Sequence, residues 1–170
     1  MSGNKYLKIA SGVIGEQAAI QSSTGVTDAG KIPALDSTGR LDSTMMPVGV
    51  APEVKILNCS EVLAAGDFVN IYNDTTAKCR KADATTAGKE ANGYVLAAVD
   101  NGNPATIYVD SINSQLSALT PGAVYYLAAT PAGGATATAP SGSGNVVQRL
   151  GRALSATEIA FEPGDPITLA

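Results

Sequence analysis

Few residues of this 170-residue sequence are of the types that perform chemistry. Histidine is absent, which removes Ser-His-Asp and Cys-His nucleophilic catalysis, histidine-ligated metals and imidazole acid–base catalysis. The two cysteines, Cys59 and Cys79, do not form a Cys-x-x-Cys pair, so neither a metal cluster nor a redox motif is indicated. We interpret them as small buried apolar side chains, with a disulfide between neighbouring strands as the alternative.

The remaining motifs do not indicate a catalytic, metal-binding or phosphate-binding site either. The carboxylates are scattered, and no pair is placed by spacing alone as a general acid and base. The DSTG stretch at 36–39 differs by one extra residue from an aspartic-protease loop. The stretch 36–42 lacks the acidic residues at positions three and five, and the closing glutamate, of a calcium loop. The segment 130–145 is rich in Gly, Ser and Ala but lacks the lysine of a phosphate-binding loop. We therefore expect no enzyme, no cofactor, no metal and no small-molecule substrate.

Charge and hydropathy exclude two further classes of partner. The net charge is −4, only 15% of residues are charged, and no basic patch stands out, so we expect no nucleic-acid binding. The longest apolar stretch, 94–99, is too short to cross a bilayer. The first fifteen residues lack the continuous apolar region of a signal peptide. We expect a protein made in a cytoplasm and used there, or packaged from it, with no membrane partner.

Residues 53–170 carry the pattern of an all-β domain, either a small β-barrel or a sandwich. Short runs rich in β-branched and aromatic residues alternate with Gly, Pro, Asn or Asp. These runs are 54–58, 67–73, 78–83, 93–100, 105–110, 123–129, 146–154 and 157–162. A hairpin-plus-strand plan begins at Gly66 and again at Gly122, which indicates an internal repeat, with chance similarity as the alternative. Short helices are predicted near 16–22 and 114–119.

Residues 1–52 differ from the rest of the chain and predict an extended, mostly irregular N-terminal arm. They contain three prolines and seven glycines, which interrupt regular structure. Apolar residues are nevertheless scattered throughout, in a number that a disordered tail would not carry. We predict an arm that becomes ordered by lying on another surface, with Met45 and Met46 as an adaptable contact. The alternative is an arm that folds back onto its own domain.

Several stretches resemble virion proteins of tailed bacteriophages. They are MSGNKYLKIASG (1–12), DAGKIPALDSTGRLDSTMMPVGV (28–50), LTPGAVYYLAATPAGGATATAP (119–140) and GRALSATEIAFEP (151–163). The resemblance is to capsid decoration (cement) proteins, head-fibre proteins and parts of tail fibres. It implies a homotrimeric β domain on the outer capsid surface, assembled in the host cytoplasm, with an arm that reaches over the major capsid protein.

The resemblance and the arm's composition together nominate contact residues for the capsid or a neighbouring subunit. They are Tyr6, Leu7, Ile9, Leu35, Arg40, Leu41, Met45 and Met46. Two other functions stay open. One is a head-fibre or tail-fibre adaptor that binds a host receptor through 130–145, although no long repetitive shaft follows residue 53. The other is a tail-tube or baseplate component.

Overall fold

A computed structural model of the chain describes residues 4–37, 39–46 and 53–170. In these residues it contains fourteen β-strands and two single-turn 3-10 helices, so the predicted all-β fold class is confirmed. The chain divides into two compact units, Met1–Ala51 and Pro52–Ala170. The end of the predicted arm, 47–52, lies outside the described residues.

The N-terminal unit begins with a β-hairpin that the sequence analysis did not predict. Strand β1 (Lys5–Ala10) pairs antiparallel with β2 (Val13–Ala18) along the full length of both strands. The two-residue turn, Ser11–Gly12, has φ values of 52° and 79°, the left-handed pair that a type I′ hairpin turn requires. The helix predicted near 16–22 is therefore wrong, because this turn directs the chain back into a strand.

Beyond the hairpin the N-terminal unit is largely irregular and is held by local hydrogen bonds. A parallel bridge joins Ile20 to Pro33, and the 3-10 helices span Val26–Asp28 and Ser43–Met45. The Ser23 backbone N–H donates to Thr44 Oγ1 at 2.8 Å, which connects the two halves of this segment.

The first half of the C-terminal unit is a ring of five strands. The pairing order is β3–β5–β4–β6–β7, and β7 pairs antiparallel with β3, which closes the ring. Three of its joins are short: the parallel β3–β5 join and the antiparallel β4–β6 join have two residue pairs each, and the β6–β7 join has only Tyr94 opposite Tyr108. The strands are β3 (Val54–Cys59), β4 (Phe68–Asn73), β5 (Ala77–Lys81), β6 (Gly93–Tyr94) and β7 (Pro104–Tyr108).

The second half of this unit is an open, fully antiparallel sheet in the order β10–β9–β12–β13–β8, beside a separate β11–β14 pair. The described residues therefore form several sheets and not a single closed barrel. The strands are β8 (Ile112–Asn113), β9 (Val124–Leu127), β10 (Ala135–Thr136), β11 (Val146–Val147), β12 (Arg149–Ala153), β13 (Ile159–Phe161) and β14 (Ile167–Thr168).

The two segments that the sequence suggested as a repeat share one neighbour order. Strand β4 lies between β5 and β6, and strand β9 lies between β10 and β12. In each segment the first strand is central, with its hairpin partner on one side and a later strand on the other. The helix predicted near 114–119 is wrong, since these residues form no regular element.

Two apolar clusters form the core of the C-terminal unit. The larger contains Phe68, Tyr94 and Phe161, whose rings meet at centroid distances of 5.6–6.4 Å. The smaller lies inside the ring and contains both cysteines, Cys59 and Cys79, as free buried thiols in register on β3 and β5. Burial raises the pKa of Cys79 to about 11, because the thiolate would be poorly solvated there.

Candidate functional site: an apolar surface on the N-terminal unit

The N-terminal unit exposes most of its apolar side chains. Among the described residues it contributes one core residue, Ala34, whereas the other buried hydrophobic residues lie in the C-terminal unit. It spans less than a third of the chain, yet it holds nine of the fifteen large hydrophobic residues that are exposed in the part of the chain that the structure describes. These are Leu7, Ile9, Val13, Ile14, Val26, Ile32, Leu35, Leu41 and Met46. Such a concentration of exposed apolar groups is typical of an interaction surface.

One part of this surface is ordered by the hairpin. Side chains alternate along a strand, and directly paired residues share a face, so Leu7, Ile9 and Ile14 project from the same side of β1–β2. They are 73%, 71% and 66% exposed. Lys5 Nζ lies 2.7 Å from Glu16 Oε2 on the same side and bounds these three residues at one end. We call Leu7, Ile9 and Ile14 the hairpin face.

The backbone of β1 offers a second surface. The Ala19 N–H donates to the Asn4 carbonyl at 2.9 Å, which sets the phase of the antiparallel ladder. Hydrogen-bonded pairs alternate with non-hydrogen-bonded pairs, so the N–H and C=O groups of Lys5, Leu7 and Ile9 point away from β2. Strand β1 has no second partner strand among the described residues. We call this row of backbone groups the β1 edge.

The nominated residues of the hairpin fall on both of its sides. Leu7 and Ile9 belong to the hairpin face. Tyr6 points to the opposite side, is half-buried, and has a hydroxyl that is buried without a hydrogen-bond partner among the described residues. Ile14, which completes the hairpin face, was not nominated. The Ser-Gly turn before Val13 was the sequence signal that could have identified it.

The other nominated residues lie in the irregular segment after the hairpin and not on its face. Leu35, Leu41 and Met46 are exposed, and Met45 is half-buried at the end of a 3-10 helix. Arg40 is exposed, and its backbone N–H donates to Asp36 Oδ1 at 3.0 Å.

Asp28 and Tyr94 are two of the titratable groups in the described residues whose pKa is shifted by their surroundings. The pKa of Asp28 is lowered to about 2, because its carboxylate accepts hydrogen bonds from Lys31 and from the backbone and hydroxyl of Thr24. Burial raises the pKa of Tyr94 to about 12. No three His, Cys, Asp or Glu side chains in the described ranges come together in a metal-binding group. In the same ranges no helix has the length and apolar character to cross a membrane.

Four residues of the segment 130–145, nominated for receptor binding, line a recess of about 280 Å³ together with Ala128 and Ala129, which follow β9. Its walls are the small side chains of alanines, threonines and Pro140. It has no aromatic ring of the kind on which sugars usually stack.

The chain has no significant match among family models, curated proteins or solved structures. The candidate site is therefore defined by its geometry alone: an apolar hairpin face and an adjacent open strand edge.

Proposed function

We propose that this chain is a non-enzymatic structural protein of a tailed-phage virion. In this proposal it is a homotrimeric decoration protein that binds the major capsid protein on the outer surface and stabilises the shell. The N-terminal unit makes the contact, and the C-terminal unit is the exposed body. The observation that carries the proposal is the hairpin face, three large apolar side chains held about 70% exposed on a formed hairpin.

The size of the hairpin face supports binding that requires an assembled partner. Fully burying a Leu or Ile side chain is worth about 1.5–3 kcal/mol, so completing the burial of these three yields roughly 3–6 kcal/mol. Association costs about 4–15 kcal/mol in lost translational and rotational freedom. A single face therefore offsets at most the lower end of that cost. Three faces on one trimer, engaged together on an ordered lattice, exceed it because the second and third contacts are intramolecular.

Preorganisation of the hairpin also favours this role. Ordering an irregular segment costs about 1–2 kcal/mol per residue of backbone. The type I′ turn and the full β1–β2 ladder remove most of that cost for residues 5–18. An isolated two-stranded hairpin is only marginally stable, so a shell surface that covers it also stabilises it. Binding to the assembled shell and not to free capsid subunits then stabilises the shell by mass action.

Removal of the N-terminal unit tests the proposal. A variant that lacks residues 2–50 keeps nearly all of the described core and should stay folded, but it should no longer sediment with empty shells. If the truncated protein decorates shells at normal occupancy, the proposal is wrong.

A matched pair of point variants makes the test specific. Ile9 and Ile167 are both strand isoleucines, 71% and 62% exposed, in the N-terminal and C-terminal units respectively. Replacing Ile9 by Ser should weaken shell binding by at least tenfold, since each arm loses apolar contact worth about 1–2 kcal/mol. Ile167→Ser should leave occupancy unchanged. Equal occupancy for the two variants would contradict the assignment of the hairpin face.

A further inference from the structure

A cleft of about 550 Å³ opens in the five-stranded ring of the C-terminal unit. One wall is the segment 96–100, which follows β6, and the other wall is β7 with Asn103 before it. Asp100 is the only charged side chain among the described residues that line it. We call it the seam cleft, because it lies where β6 and β7 separate.

Strands β6 and β7 of the ring are paired at only one position along this seam. Tyr94 opposite Tyr108 is the single β6–β7 pair, and continuing its register would set Leu96 opposite Thr106. Strand β6 ends at Tyr94 instead. Beyond Tyr94 the backbone bonds to the segment before β4 and not to β7. Val95 N–H donates to the Asp67 carbonyl at 3.0 Å, and Val99 N–H donates to the Leu63 carbonyl at 2.9 Å.

The backbone of β7 faces the cleft with unused hydrogen-bonding groups. Val109 N–H donates to Glu53 O at 3.1 Å, and Cys59 N–H donates to Asn103 O at 3.0 Å. These bonds fix the phase of the β3–β7 ladder, in which every second residue of β7 bonds to β3. Thr106 belongs to the other set, so its N–H and C=O point into the seam cleft. A cleft with a strand edge on its wall is suited to an added strand.

We propose that the seam cleft binds strand β1 of a second copy of this chain. Among the described strands with an open edge, β1 and β2 are the longest, at six residues each. Strand β1 carries Lys8 on the side opposite the hairpin face, and its ammonium group complements the carboxylate of Asp100. Its edge offers the backbone groups of Leu7 and Ile9 to pair with Thr106.

The contact is heterologous, with the β1 edge of one copy in the seam cleft of the next. A three-fold rotation closes such contacts into a ring in which every edge and every cleft is used once. The hairpin face lies perpendicular to the β1 edge, so it stays available to the shell. The inference thus deepens the proposed homotrimer and rests on it.

A pair of substitutions at one position tests the contact in the full-length chain. Thr106→Pro removes the N–H that faces the cleft and leaves the β3–β7 ladder intact, since a proline is tolerated where its nitrogen faces away from the partner strand. Thr106→Val keeps the N–H. By sedimentation velocity we expect trimers for the wild type and Thr106→Val, and at least tenfold weaker association for Thr106→Pro.

A second pair of substitutions tests the same contact without a proline, so its result does not depend on whether Thr106→Pro folds. Ala98 is exposed on the opposite wall, and Ala98→Arg fills the cleft and repels Lys8 of β1, whereas Ala98→Ser does neither. We expect Ala98→Arg to dissociate the trimer and Ala98→Ser to preserve it. A wild type that is monomeric at high micromolar concentration, or trimers from both disruptive variants, would overturn the inference. If those variants stay trimeric while deletion of 2–50 abolishes shell binding, the inference fails and the proposed function stands.

Discussion

The buried amide of Gln148 provides a sharp test of how the C-terminal unit is held together. Gln148 is 3% exposed between β11 and β12, and its side chain pairs with the backbone of Ala91 in both directions. The Ala91 N–H donates to Gln148 Oε1 at 2.7 Å, and Gln148 Nε2 donates to the Ala91 carbonyl at 3.0 Å. Ala91 is itself 3% exposed, and its backbone has no strand partner. The Gln148 side chain therefore supplies the two hydrogen bonds that a neighbouring strand would otherwise provide.

Gln148→Met keeps the length and volume of the side chain but removes both hydrogen bonds. Each buried backbone group left unpaired costs about 1–3 kcal/mol, so two cost about 2–6 kcal/mol. The added apolar burial of Met returns part of this, and we expect the free energy of unfolding to fall by about 2–4 kcal/mol. A domain of this size has roughly 5–15 kcal/mol in total.

Equilibrium unfolding in urea, followed by circular dichroism, measures this loss. Gln115→Met is the matched control, since Gln115 is exposed, and it should change the free energy of unfolding by less than about 0.5 kcal/mol. A loss below about 1 kcal/mol for Gln148→Met would refute the reasoning, because Ala91 would then satisfy its backbone groups in another way.

Three further predictions concern the backbone, the thiols and the dependence on pH. Gly151 has φ of 150°, and an added Cβ would lie 1.8 Å from the Ala160 carbonyl oxygen, so Gly151→Ala should separate β12 from β13. We expect the free energy of unfolding to fall by on the order of 2–3 kcal/mol and the melting temperature to fall by about 10 °C or more. Cys59 and Cys79 should react with a thiol reagent at pH 8 only in denaturant, because both are buried and the pKa of Cys79 is raised to about 11; rapid reaction of the folded protein would contradict their burial. The pKa of Asp28 is lowered in the folded protein, so the stabilising effect of its carboxylate is complete above the unfolded pKa near 4 and is lost as the pH falls through about 2. NMR should therefore show residues 24–31 loosening only below about pH 4, and Asp28→Asn should show no such change.

The strands of the C-terminal unit were the most predictable part of the fold. Runs such as 54–58 and 105–110 combine β-branched residues with clear boundaries, and each coincides with a strand to within one or two residues. The run 93–100 has the same composition, but only two residues of it form a strand. Its composition does not reveal that Val95 and Val99 pair away from β7, because that depends on residues some thirty positions earlier in the chain.

The ring closure could not be predicted, because it depends on pairing between distant segments. Strand β3 pairs with β7 about fifty residues later and with β5 in parallel, and neither pairing has a local signal. The candidate site was partly predictable. The apolar content of the N-terminal unit led to the nomination of Leu7 and Ile9 as contact residues. Polar residues within the hairpin interrupt the alternation of apolar and polar positions that marks a strand, so Ile14 was not nominated.

Hydrogen exchange at the hairpin tests the central claim that a neighbour covers the N-terminal unit in an assembly. In the monomeric chain expected for Ala98→Arg, the Leu7 and Ile9 amides point away from β2 and should exchange rapidly, whereas those of Tyr6 and Lys8 are bonded to β2 and should exchange more slowly. On decorated shells we predict that the Leu7 and Ile9 amides become protected at least tenfold. Unchanged exchange of these two amides on shells at full occupancy would contradict the claim.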